Sequence, residues 1–164
     1  MTSYRLIARR SASSPGQAGR ADAAQRRARR WFYALLVPVF LKILWFHFCC
    51  PQERHFARLG RRRTRSDAPL PTSWARWAAF RVSRIIQGIP LLRRRPCYWR
   101  SQMIYDLLPR FGFEMELHLG ASLEGNKTTP HLWVSTQGAV LVDDSECAGR
   151  YAEVIAYTTE ARRD

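Results

Sequence analysis

At Gly112 the hydrophobic period of the chain changes, and no other feature constrains the fold as much. Before it, apolar residues recur at helical intervals. In "WARWAAFRVSRIIQGI", Trp74, Trp77, Phe80 or Arg81, Ile85 and Ile89 fall near one face, and Met103, Ile104, Leu107 and Leu108 form a second stripe. After it, "FEMELHLG" alternates, with Phe113, Met115, Leu117 and Leu119 on one side and Glu114, Glu116 and His118 on the other, as a half-buried strand requires. Helices first and antiparallel strands afterwards make an α+β domain.

The breakers agree with this division. Ser73 is placed to cap the first core helix, and Gly88 and Pro90 to end it. Pro96 suits a first helical position, Pro109 should weaken the last turn and Gly112 should close it. Beyond "FEMELHLG" a polar loop, "ASLEGNKTT", is expected. Two strands of a hairpin should then cover about His131 to Ser135 and Ala139 to Asp143, with "RYAEVIAYTT" adding a strand or a short helix.

The front of the chain has a different character. Residues 1–30 are rich in Arg, Ala and Ser with little to bury, so a disordered basic leader or a frayed helix is expected. Residues 31–164 then form one domain, with a hydrophobic helical segment and linker over 31–73 and a core over 74–164. "WFYALLVPVFLKILWFHFCC", Trp31 to Cys50, has the length of a bilayer span and follows a basic cluster, but Pro38, Lys42 and His47 interrupt it. Apolar residues continue to Phe56 and Leu59 at helix-like intervals, which favours a segment buried in protein or lying at an interface. "LGRRRTRSDAPLPTS" looks like an exposed linker.

Charge divides along the same line. Residues 1–110 hold 23 basic and 4 acidic residues, a balance of +19, whereas 111–164 hold 4 and 9, a balance of −5. A basic front suits nucleic acid, anionic lipid or an acidic peptide, and charge alone does not choose among them; the acidic back argues against a wholly nucleic-acid-binding surface, and no nucleic acid is expected as a partner. Cys49, Cys50, Cys97 and Cys147 show neither C-x-x-C pairing nor zinc-ligand spacing, so no metal is expected. Without a signal peptide, a cytoplasmic protein with free thiols and a contact with a membrane surface through 31–50 is the expectation.

Cys97 falls in the first turn of its helix, where unpaired amides and the positive end of the dipole favour a thiolate, and Arg93, Arg94, Arg95 and Arg100 add to that field. Its amide could stabilise an oxyanion; a side-chain donor is not identifiable from sequence, Gln87, ten residues before Cys97, being a guess. The hairpin supplies a base. A two-residue loop would force Gln137 to positive φ, whereas a three-residue loop of Thr136, Gln137 and Gly138 avoids that strain. The three-residue loop closes on Ser135 and Ala139 and sets His131 opposite Asp143; the two-residue loop gives Asp144 that face instead. A carboxylate there would hold the imidazole tautomer while the other ring nitrogen deprotonates the thiol. Trp133, two residues from His131, is a candidate wall of the site. His118 should be solvated, His47 and His55 belong to the helical front, and Glu114 and Glu116 form an exposed strand face.

These three spaced elements resemble the transglutaminase-like cysteine peptidases of lasso-peptide biosynthesis, often called B proteins. The likeness spans residues 31–157. It rests on Cys97 followed by "RSQMIYDLLPRFGFEMELHLGA", then "HLWV", then a Gly-turn and "VLVDD", with Asp143 twelve residues after His131. The segment "LLVPVFLKILWFHFCCPQERHFARLG" is similar to the front of these proteins. The resemblance implies a transglutaminase/papain-like core with Cys97 as nucleophile, His131 as base and then acid, and Asp143 as orienting carboxylate, Asp144 being the alternate. It implies removal of the leader from a ribosomally made precursor peptide, a separate leader-recognition protein, a lasso cyclase acting on the product, and no cofactor. The chain departs from the pattern at Ser135, where many members have an acidic residue, and at Ala121 and Ser122, where Val-Arg is common. The same triad could instead transfer the acyl group to an amine, as a transglutaminase or amidase does. A basic membrane-surface or nucleic-acid-binding adaptor without catalysis, with Cys97 inert, is the third expectation.

Overall fold

A computed structural model describes residues 15–49, 70–124, 127–142 and 151–158. Helix α1 spans Pro15–Cys49, α2 Thr72–Gly88 and α3 Pro96–Leu107, followed by strands β1 (Glu116–Glu124), β2 (Lys127–Thr136), β3 (Ala139–Val140) and β4 (Ala152–Thr158). The strands form one antiparallel sheet in the order β3-β2-β1-β4. The fold is α+β, as the change of period implies.

Several boundaries follow from single residues. α2 runs to Gly88, and Pro90 opens a 3₁₀ turn, Pro90–Arg94. Pro96 is the first residue of α3. A second 3₁₀ turn, Leu108–Phe111, carries Pro109 and closes on Gly112 in the left-handed conformation, φ 89°, where a side chain would be strained. Ser73 is not the cap of α2. That helix begins at Thr72, after extended Pro71, whose carbonyl accepts the Trp74 amide at 2.8 Å, and no side chain caps it.

The buried face of α2 also differs from the expected one. Trp74, Ala75, Ala78, Ala79, Val82, Ser83 and Ile86 are buried, while Phe80 and Ile85 are 59% and 38% exposed. Three alanines let neighbouring elements approach closely, so the stripe of small residues faces inward and the larger Phe80 is left outside. Trp74 stacks on Phe113 at 5.9 Å and 6°, joining α2 to the start of the sheet.

α1 begins at Pro15, inside the segment expected to be disordered or frayed, and runs unbroken past Pro38. It packs through Phe32, Leu36, Val39 and Ile43, spaced along one face and each at most 8% exposed. Burial of each contributes about 2 kcal/mol. Lys42 pairs with Asp106 of α3 at 2.6 Å, and Asp106 also pairs with Arg110 at 3.2 Å. The Asp106 side chain is 0% exposed, so both cations are needed to compensate a charge removed from water. The continuation of the apolar pattern to Phe56 and Leu59, the arginine-rich linker as far as Pro69, and His55 lie outside the described residues.

In the sheet, Ala121 to Glu124 and Lys127 to Thr129, expected in a polar loop, are strand. β1 pairs with β2 from Glu116 with Ser135 to Glu124 with Lys127. "AEVIAYT" is β4, an edge strand on β1. The β2–β3 connection corrects the expected register: Thr136 faces Ala139 and Ser135 faces Val140, with Gln137 at φ 50° and Gly138 at φ 74°. This is the two-residue turn, whose twist suits the flanking strands. The left-handed Gln137 costs about 1 kcal/mol. What outweighs it is Leu141, whose amide donates to Val134 at 3.2 Å and whose side chain joins the core with Val134. A slip of one residue would turn Leu141 to the other face.

Candidate active site

Pro96 fixes the start of α3, and Cys97 follows it with its thiol half-buried. The thiol is hydrogen-bonded to the His131 imidazole, and this bond is the first cause of a Cys97 pKa held below the ordinary 9.0. Burial opposes the shift by disfavouring the charged sulfur; the charge of His131 and the backbone amides of Leu132 and Tyr98 add to the lowering. The Tyr98 amide is the helix-start donor expected there. His131, rather than the arginine cluster, dominates. Two residues separated by 34 positions thus meet as a potential nucleophile and base.

Ser101, one helical turn after Cys97, donates its hydroxyl to the Leu132 carbonyl at 2.8 Å in a buried position. α3 and β2 are therefore tied twice at neighbouring points, Cys97 to His131 and Ser101 to Leu132. The second tie holds the strand where the first needs it.

The His131 ring lies in a row of four across one sheet face. It stacks on Tyr151 at 4.5 Å and 20° and on Trp133 at 6.0 Å and 19°, and Trp133 stacks in turn on His118 at 5.3 Å and 9°. Trp133 does stand beside the imidazole, where a site wall would be. Gly120, the β1 partner of His131, makes room for it. A Cβ at Gly120 would lie 2.7 Å from the Trp133 ring and 2.8 Å from the Ala152 carbonyl oxygen. The β1–β4 ladder shifts register between Leu119 and Gly120, as a glycine within a strand often marks.

His118 is not simply solvated. Nδ1 is 2.8 Å from Glu153 Oε2 and Nε2 is 2.8 Å from Ser135 Oγ, which donates to Glu116 Oε2 at 2.8 Å. Glu116 therefore belongs to a hydrogen-bonded chain at the far end of the ring row. His47 of α1 lies 3.0 Å from the Tyr98 hydroxyl and packs edge-on against Trp99, so the end of α1 reaches the start of α3. Gln87 is exposed, and its carbonyl accepts from Arg93 at 2.8 Å.

Asp143 and Asp144 both lie outside the described residues. The observed two-residue turn removes the register argument for Asp143, which rested on a three-residue loop. Ser101, Gly120 and Tyr151 were missed from sequence. The spacing of four from Cys97 could have suggested Ser101, and a glycine in mid-strand could have suggested Gly120; Tyr151 carries no comparable signal. Among the described residues no group of three His, Cys, Asp or Glu side chains could hold a metal ion. No family model, curated protein or solved structure matches this chain.

Proposed function

We propose that the protein is a cysteine peptidase of the transglutaminase-like kind, removing the leader from a ribosomally made lasso-peptide precursor. The observation that carries the reading is the Cys97 thiol, hydrogen-bonded to His131 and held below its ordinary pKa. A buried structural thiol has no use for such a partner, and burial alone would push it the other way.

In this reading Cys97 passes its proton to His131, and the sulfur attacks the carbonyl carbon of the last leader residue. The carbon–nitrogen bond breaks as His131 returns the proton to the departing amine, leaving a thioester on Cys97. Water, deprotonated by His131, attacks the thioester; the leader leaves with a new carboxylate and the thiol is restored. In this reading the Cys97 amide at the helix start stabilises the oxyanion. Tyr151 and Trp133 keep the imidazole plane fixed, with Asp143, or Asp144 as the alternate, as orienting carboxylate. A separate protein recognises the leader, and a cyclase uses the freed amine.

The test is incubation of the full chain with a leader-bearing precursor peptide and its recognition protein in H₂¹⁸O. Hydrolysis predicts one ¹⁸O in the carboxylate of the released leader and no cleavage by Cys97→Ala. Cleavage by Cys97→Ala would refute the peptidase reading, and release as an amide of an added amine would replace hydrolysis by acyl transfer.

A further inference from the structure

Helix α1 has two apolar faces, and the domain covers one. Phe32, Leu36, Val39 and Ile43 are buried, but Val37, Leu41, Trp45 and Phe48 are 63%, 58%, 67% and 79% exposed. These four are spaced three or four residues apart, so they form one stripe opposite the packed face. A contiguous exposed apolar stripe of this kind marks an interaction surface.

The same ladder continues backwards into charge. Three- and four-residue steps from Val37 pass through Ala34 to Arg30 and Arg27, both exposed, with exposed Arg26 beside them. Trp31, 56% exposed, stands where the arginines give way to the apolar stripe. A basic turn followed by an aromatic-edged apolar face is complementary to phosphate headgroups above acyl chains. The helix is long and apolar enough to cross a membrane by length and composition, but crossing would strip its packed face from the core. It would also break the Lys42 pair with buried Asp106. Lying in the plane of the surface preserves both.

We infer that the outward face of α1 seats the protein on an anionic phospholipid bilayer, with the helix in the membrane plane. His47 joins the end of this helix to Tyr98, the neighbour of Cys97, so the lipid-facing helix ends beside the candidate nucleophile. The inference does not depend on catalysis by that residue.

The experiment is co-sedimentation of the full chain with phosphatidylcholine vesicles, with and without about 30% phosphatidylglycerol. The compared proteins are wild type, Leu41→Glu/Trp45→Glu and Arg27→Glu/Arg30→Glu, with circular dichroism checking the fold. Wild type should bind the anionic vesicles, the first variant should bind at least about ten-fold more weakly, and the second should lose the salt-sensitive part of binding. Failure of wild type to bind, or equal binding by Leu41→Glu/Trp45→Glu, would overturn the inference. So would a wild-type dimer in sedimentation velocity that this variant abolishes, because the stripe would then belong to a second copy.

Discussion

The Ser101 hydroxyl donates to the Leu132 carbonyl at 2.8 Å, one helical turn from Cys97 and one residue from His131. This bond fixes the distance between the helix that carries the thiol and the strand that carries the imidazole. Ser101→Ala leaves a buried carbonyl without its donor, at a cost of about 1–2 kcal/mol. Denaturant unfolding should detect that loss, and the pKa of Cys97 should rise because His131 is held less firmly. An unchanged Cys97 titration would assign Ser101 to stability alone.

Gly120 leaves the space that the Trp133 ring fills. Gly120→Ala puts a methyl 2.7 Å from that ring and 2.8 Å from a backbone oxygen, so the ring must move. A destabilisation of about 1–3 kcal/mol is expected, with loss of the Trp133 wall beside His131. Thermal unfolding and Trp fluorescence check this; a variant with wild-type stability and emission would show the close approach to be dispensable.

Asp106 is the charge on which α1 is anchored. Asp106→Ala leaves Lys42 and Arg110 without their carboxylate partner at a largely dry junction, and about 3 kcal/mol of stability should be lost. Hydrogen exchange in α1 should rise with it. If the loss is below about 1 kcal/mol, as for a surface pair, the anchoring role falls.

The three-residue loop that would set Asp143 opposite His131 is not formed; a two-residue turn closes on Thr136 and Ala139 instead, the loop length for which Asp144 is the expected partner. Asp144→Ala should therefore reduce cleavage by roughly 100-fold or more, whereas Asp143→Ala should change it by less than about ten-fold, because a missing orienting carboxylate spoils the imidazole tautomer. Rates of precursor cleavage measured side by side decide between them. The reverse order would restore Asp143 as the orienting carboxylate.

What could be read in sequence was what depends on local period and on Pro and Gly. Pro96, Pro109 and Gly112 marked the ends of α3 and its following turn, and the alternation around Leu117 marked β1. Cys97 and His131 were found because a helix start and a strand are local features with chemical consequences. The turn differs from the expected one because local cost omits tertiary gain: strain at Gln137 is visible in sequence, but burial of Leu141 in the core with Val134 is not. Lys42 looked like a flaw in an apolar run because its partner, Asp106, is 64 residues away. His118 looked solvated for the same reason, its carboxylate partner Glu153 being 35 residues distant on β4.

The central claim is that Cys97 and His131 act as a nucleophile and its base, and the most direct measurement is the rate of Cys97 alkylation by iodoacetamide against pH, read by peptide mass spectrometry. Because the folded pKa is below 9.0, the thiolate should persist at pH values where an ordinary cysteine is protonated. The associated stability is fully present above the unfolded pKa and lost as pH falls through the folded one. In His131→Ala the burial remains but the hydrogen bond and charge do not, so the alkylation midpoint should move up towards or past 9.0. Identical midpoints in the two proteins, both near that of a free thiol, would contradict the account.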